Sequence, residues 1–160
     1  MFKEINGLPV HVLVVHAVVV LVPLLALLAS VYGLVPVSRR RLDWAVLVLA
    51  VVTPVVAYVA SQSGKALQEV LRGRGYPAEG LAKIKEHSDY GDVLLWLTVA
   101  LAVAALLLVA LTSKNPRVTR LPSWLSWLVT GVVVVLSVFA LVYVYRTGDS
   151  GAQMVWSNIV

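Results

Sequence analysis

The chain has 160 residues, 60% of them hydrophobic and 13% charged, with a formal net charge of +5. Soluble domains run about 45–50% apolar and about 25% charged, so this composition excludes a soluble enzyme or a disordered tail and favours a membrane-embedded bundle. Thirteen Lys and Arg spread along an apolar chain make no nucleic-acid footprint, and the absence of cysteine excludes disulfides, iron–sulfur clusters, thiolate zinc and c-type haem attachment.

A spanning helix needs about 20 predominantly apolar residues. The first such stretch covers residues 9–35 and carries no charge. Lys3 is offset by Glu4 and the apolar run is longer than that of a signal peptide, so it is read as a retained helix, with Pro9 in its first turn. The second covers residues 44–63; Pro23 and Pro54 lie inside the first two helices and are expected to kink them. A polar stretch, residues 64–92, follows. Its centre, Gly73-Arg74-Gly75-Tyr76-Pro77, reads as a turn between two short helical pieces lying on the bundle or membrane surface. The third and fourth spans cover residues 93–112 and 125–145. Barrel strands of about ten alternating residues are missing, so the expected fold is all-α: one integral membrane domain over 1–160, a four-helix bundle with a longer helical outer loop.

Charge sets the orientation. The turns after the first and third spans hold Arg39, Arg40, Arg41, Lys114, Arg117 and Arg120 against Asp43 alone. The seven basic residues elsewhere are matched by seven acids. The positive-inside rule then puts both basic turns in the cytoplasm and both termini outside the plasma membrane. Trp44, Trp124 and Trp127 would form an inner interfacial belt; Tyr58, Tyr143 and Tyr145 would form an outer one.

The histidines His11, His16 and His87 all fall toward the outer end. His16 lies about 7.5 Å deeper than His11 and about 140° around the helix, so the two are not expected to ligate one ion together. An intramembrane histidine usually faces the bundle interior and marks a functional path; a hydrogen-bonded histidine with only a packing role is the plainer reading. Imidazoles from facing helices are what a bis-histidine b-type haem needs, and His16 with His87 is the expected axial pair, His11 being a supporting residue or alternative ligand. Arg146, Lys83 or Lys85 could pair with propionates. Copper is the rival metal, on any of His11, His16 and His87, although Met1 and Met154 hardly make a soft-ligand cluster. Glu86, Asp89 and Asp92 surround His87 without zinc-hydrolase spacing, so no catalytic residue is assigned and an electron carrier is favoured over an enzyme.

Each half of the chain has a histidine near the start of its first helix and Ser-Gly just past the end of its second, Ser63-Gly64 and Ser150-Gly151. That suggests a parallel repeat, in which glycine either ends the helix or lets backbone approach a cofactor. Gly131, Ala140, Ala100, Ala104 and Ala105 are small residues suited to close helix approach within one chain or across a homodimer.

The run Ile5-Asn6-Gly7-Leu8-Pro9-Val10-His11-Val12-Leu13-Val14-Val15-His16 resembles the opening of domain-of-unknown-function family 2231, small bacterial membrane proteins whose pattern is His-Pro-x-x-Val-His. Val12 stands where the family commonly has proline. Ser63-Gly64, Glu86-His87 with Gly91, and Gly148-Asp149-Ser150-Gly151-Ala152 with Trp156 also look like family features. Relatives fused to Rieske-type or cytochrome-type domains imply an electron-transfer or haem-binding role. On that reading, partners would be the lipid bilayer and a quinone or external redox protein, with His11, His16 and His87 as the family histidines. The readings that compete with it are a structural or accessory subunit without cofactor and a histidine-based metal-binding protein.

Overall fold

A computed structural model describes residues 4–5, 8–112 and 122–156, with side chains described from residue 10 onward. A short antiparallel pair, β1 (Glu4–Ile5) and β2 (Leu8–Pro9), places Ile5 opposite Leu8 and Glu4 opposite Pro9. Helix α1 (Val10–Leu34) therefore begins after Pro9, which ends the strand instead of entering the first helical turn. A 3₁₀ turn, Pro36–Ser38, leads into α2 (Arg39–Gly73), and α3 (Ala78–Thr112) and α4 (Ser123–Trp156) complete the chain. The basic turn holding Lys114, Arg117 and Arg120 lies outside the described residues.

All four helices are long and apolar enough to cross a membrane. They pack as an up-down-up-down bundle in which each helix meets its two sequence or closing neighbours, and the diagonal pair α1 and α3 barely touch. The outside is as apolar as the inside. Val20, Leu27, Val55, Trp96 and Val103 are each about 60–70% exposed, a surface that water would not tolerate and lipid requires. Trp44, Trp124 and Trp127 are exposed near one end and Tyr58 and Tyr145 near the other, as interfacial girdles are. We call these the arginine end and the histidine end.

The polar segment 64–92 is helical, but it forms no separate pieces. It is the continuation of α2 and α3 beyond their apolar stretches, joined by a tight turn. At about 1.5 Å per residue, helices of 35 residues reach about 52 Å, well past a hydrocarbon core of about 30 Å. Lys65-Ala66-Leu67-Gln68-Glu69 has no breaker and good helix formers, so the helix persists where hydropathy stops. It ends in a Schellman motif: Tyr76 N–H bonds the Leu71 carbonyl and Gly75 N–H the Arg72 carbonyl, both at 3.2 Å. Gly75 takes φ +74°, the left-handed geometry that motif demands, and Pro77 opens α3. Helix α4 likewise runs past residue 145 to Trp156, and α1 and α2 pass through Pro23 and Pro54 as unbroken helices.

The core repeats itself. Val18, Val22, Leu25, Ala26, Ala29 and Tyr32 of α1 recur at constant spacing as Leu94, Thr98, Leu101, Ala102, Ala105 and Leu108 of α3, all buried. Val46, Ala50, Thr53 and Ala57 of α2 recur in the same way as Val133, Ser137, Ala140 and Val144 of α4. Two helical hairpins are thus related by a pseudo-twofold axis along the bundle. Ala104, Ala105 and Ala140 are used up inside the chain's own bundle, whereas Gly131 and Ala100 face outward. At the arginine end Arg39 donates to the Tyr32 and Gly33 carbonyls, both at 3.1 Å, and Tyr32 meets Thr112 at 2.7 Å. Ser30 and Ser137 bond at 3.1 Å near mid-bundle, where Ser137 also reaches the Ala26 carbonyl.

Candidate functional site

The spacing that carries Val18 onto Leu94 carries His11 onto His87, and the spacing that carries Val46 onto Val133 carries Ser63-Gly64 onto Ser150-Gly151. The histidine end assembles these residues into two equivalent arms. In the first, His11 Nδ1 lies 3.0 Å from the Ala60 carbonyl of α2 and 3.5 Å from Ser63 Oγ, which itself donates to Ala60 at 3.0 Å. In the second, His87 Nδ1 lies 3.0 Å from Ser150 Oγ, with the Thr147 carbonyl of α4 alongside, and Ser150 donates to Thr147 at 3.1 Å. A carbonyl accepts and cannot donate, so the proton sits on Nδ1 of His11, and the repeated arrangement implies the same tautomer for His87. Nε2 is then each ring's remaining lone-pair nitrogen.

Glycine makes both seats. A Cβ on Gly64 would stand 3.0 Å from His11 Cε1, and one on Gly151 would stand 3.1 Å from His87 Cε1. Each imidazole therefore rests on bare backbone one helical turn beyond the carbonyl beside it, Ala60 for His11 and Thr147 for His87. The two arms meet across the bundle, with ring centroids 6.1 Å apart and planes 86° from parallel. Thr147 Oγ1, beside His87, is buried with no hydrogen-bond partner among the described residues.

His16 does not join them. It is exposed on the outer face of α1 and its Nδ1 turns back to the Val12 carbonyl at 2.7 Å. The structure thus brings His11, and not His16, beside His87. The reason is helix rotation. His11 falls in heptad register with the buried Val18, Leu25 and Tyr32, as His87 does with Leu94, Leu101 and Leu108; His16, about 140° away, must point out of the bundle when His11 points in. Heptad register was the signal that separated them. The sequence marks the serines and glycines as a repeat, but their role as seats for the rings depends on the facing of α1 on α2 and of α3 on α4.

Arg146 packs on the aromatic rings beside it. Its guanidinium stacks 5.9 Å over the Tyr90 ring and 6.0 Å over that of Tyr143, on the face shared by α3 and α4. Across the bundle's other side, Asp92 of α3 ties to α2, accepting from Lys65 at 3.0 Å and Ser61 at 2.9 Å. Lys85 pairs with Asp89 on its own helix at 2.8 Å, and Lys83 lies 3.6 Å from Glu79. Among the described residues no group of three His, Asp or Glu side chains converges as a closed metal site would need.

The chain belongs to the family described as predicted membrane protein (DUF2231), whose profile matches residues 7–160. No curated protein and no solved structure matches it.

Proposed function

We propose that this membrane protein is a redox carrier in which His11 and His87 would hold a b-type haem at the extracytoplasmic end of a plasma-membrane bundle. The observation that carries the reading is the pairing of two imidazoles from diagonal helices at 6.1 Å between centroids. Both rings also have their N–H turned to backbone or hydroxyl oxygen, the outer-sphere contact that fixes a ligating histidine's tautomer and leaves Nε2 free. The Thr147 hydroxyl, buried without a hydrogen-bond partner among the described residues, is a polar group that a bound cofactor could engage on the same helix.

The haem would supply one-electron chemistry. The chain's residues hold the imidazoles: Ala60 and Thr147 carbonyls set the ring orientation, Ser63 and Ser150 brace them, and Gly64 and Gly151 admit them to the helix surface. The basic turns favour a cytoplasmic arginine end, which places the pair outside, where a quinone or an external redox protein could exchange electrons. Full-length protein expressed with ample haem should show a Soret band that His11→Ala and His87→Ala each abolish and His16→Ala retains. A parent protein without that band sinks the haem reading; elemental analysis would then report copper. The cross-helix bonds of both rings favour the second reading, a structural clamp, in which His11→Ala and His87→Ala lower thermal stability while no cofactor is ever found.

A further inference from the structure

A cavity of about 410 Å³ opens between α3 and α4 beside the second arm, sharing Ser150 with it. Its charged walls are Lys83 and Glu86 from α3 and Arg146 and Asp149 from α4, so its net charge is zero. Because α3 and α4 run antiparallel, the order along the bundle follows from the sequence. Arg146 and Tyr90 lie deepest, Glu86 and Asp149 form the next level outward, and Lys83 faces Gln153 near the rim.

The groups differ in what they still lack. Tyr90 donates to Glu86 at 3.0 Å and Gln153 donates to Asp149 at 2.8 Å. Each carboxylate thus accepts one hydrogen bond and keeps further acceptor lone pairs. Arg146 lies about 6 Å from two tyrosine rings and makes no ion pair among the described residues, so its N–H edge lacks a carboxylate partner. An oxyanion is what that edge recognises. The cation lies one helical turn inside the anions, about 4.5 Å along the axis.

We infer that this pocket binds the phosphoethanolamine headgroup of a membrane phospholipid, phosphate on Arg146 and ammonium between Glu86 and Asp149. A lipid entering from the bilayer presents acyl chain, phosphate and amine in that order from the membrane centre outward, which is the order of apolar span, Arg146 and carboxylates here. The two-carbon bridge of ethanolamine matches the one-turn offset. A zwitterion also matches the pocket's zero net charge better than a purely anionic headgroup. Binding needs neither histidine, so lipid preference and Soret absorbance succeed or fail independently.

The test uses the full chain in detergent, incubated with equal phosphatidylethanolamine, phosphatidylcholine and phosphatidylglycerol, and reads retained lipid by native mass spectrometry. Phosphatidylethanolamine should be retained about tenfold over either competitor, since methylation removes the N–H donors and glycerol removes the cation. Arg146→Gln should lower its retention about tenfold, and Glu86→Gln with Asp149→Asn should bring it level with phosphatidylcholine. Equal retention of all three lipids by the parent overturns the inference, as does a preference for phosphatidylglycerol. Full displacement by water-soluble glycerophosphoethanolamine at equal concentration overturns the lipid source and assigns the pocket to a soluble phosphate ester. Should Arg146→Gln fail to fold, the parent's ranking and the carboxylate variant still decide.

Discussion

Gly148 and Gly151 lie three residues apart on α4, yet the structure predicts opposite consequences for the same substitution. A Cβ on Gly148 would meet nothing within 4 Å, whereas one on Gly151 would stand 3.1 Å from His87 Cε1 and 3.5 Å from its Nδ1. Replacing glycine by alanine inside a helix gains about 0.8–1 kcal/mol through backbone entropy. Gly148→Ala should show that gain in full. Gly151→Ala should not, because carbon atoms prefer about 3.5–4.0 Å and the ring must retreat by about half an ångström. That retreat stretches a 3.0 Å contact with Ser150 to its geometric limit, and a lost hydrogen bond costs about 0.5–1.5 kcal/mol. The two effects cancel to near zero for Gly151→Ala, so the variants should differ by about 1 kcal/mol in thermal or denaturant unfolding in detergent. Nitrogen-15 spectra of the histidine rings provide the second readout: His87 shifts in Gly151→Ala and stays put in Gly148→Ala. Equal stabilisation of both variants, with an unmoved His87 resonance, would refute the glycine seat.

The first arm should behave alike: Gly64→Ala puts a Cβ 3.0 Å from His11 Cε1 and 3.1 Å from its Nδ1, so it should perturb the His11 resonance without raising stability. Gly33→Ala should destabilise the bundle by about 1–3 kcal/mol, because the new methyl would lie 2.7 Å from Thr130 Cγ2 and force α1 from α4. Adding Thr130→Ser, which removes that methyl, should restore most of the loss in the same unfolding assay. Tyr32→Phe should cost about 0.5–1.5 kcal/mol by removing the 2.7 Å hydrogen bond that Tyr32 donates to Thr112, whose own hydroxyl keeps the Leu108 carbonyl, whereas Lys65→Ala should cost under about 1 kcal/mol, since its bridge to Asp92 is part-exposed.

Much of the bundle was legible before any coordinates. Residues without charge for 25 positions, as in α1, have no stable home but lipid or a core, and only a helix satisfies their backbone there. The turn at Gly73–Pro77 was equally plain, since Gly75 and Pro77 each carry a backbone preference that needs no tertiary context. Helix ends were less so. Hydropathy marks where lipid stops, and α2, α3 and α4 continue as amphipathic or polar helices held by one another and by links such as Lys65 to Asp92.

The net charge of +5, the lack of cysteine and the four apolar runs by themselves determined class and helix number, because each is a property of composition along one dimension. Which histidines meet was decided by the tertiary structure. His11 and His16 are equally apolar in their surroundings along the chain, but helix α1 has one rotation, set by Val18, Val22, Leu25 and Ala29 locking against small residues of its neighbours, and that rotation turns His11 inward and His16 to the outside. The seats on Gly64 and Gly151 depend on how α1 abuts α2 and α3 abuts α4, a contact between residues more than fifty positions apart that only packing can create.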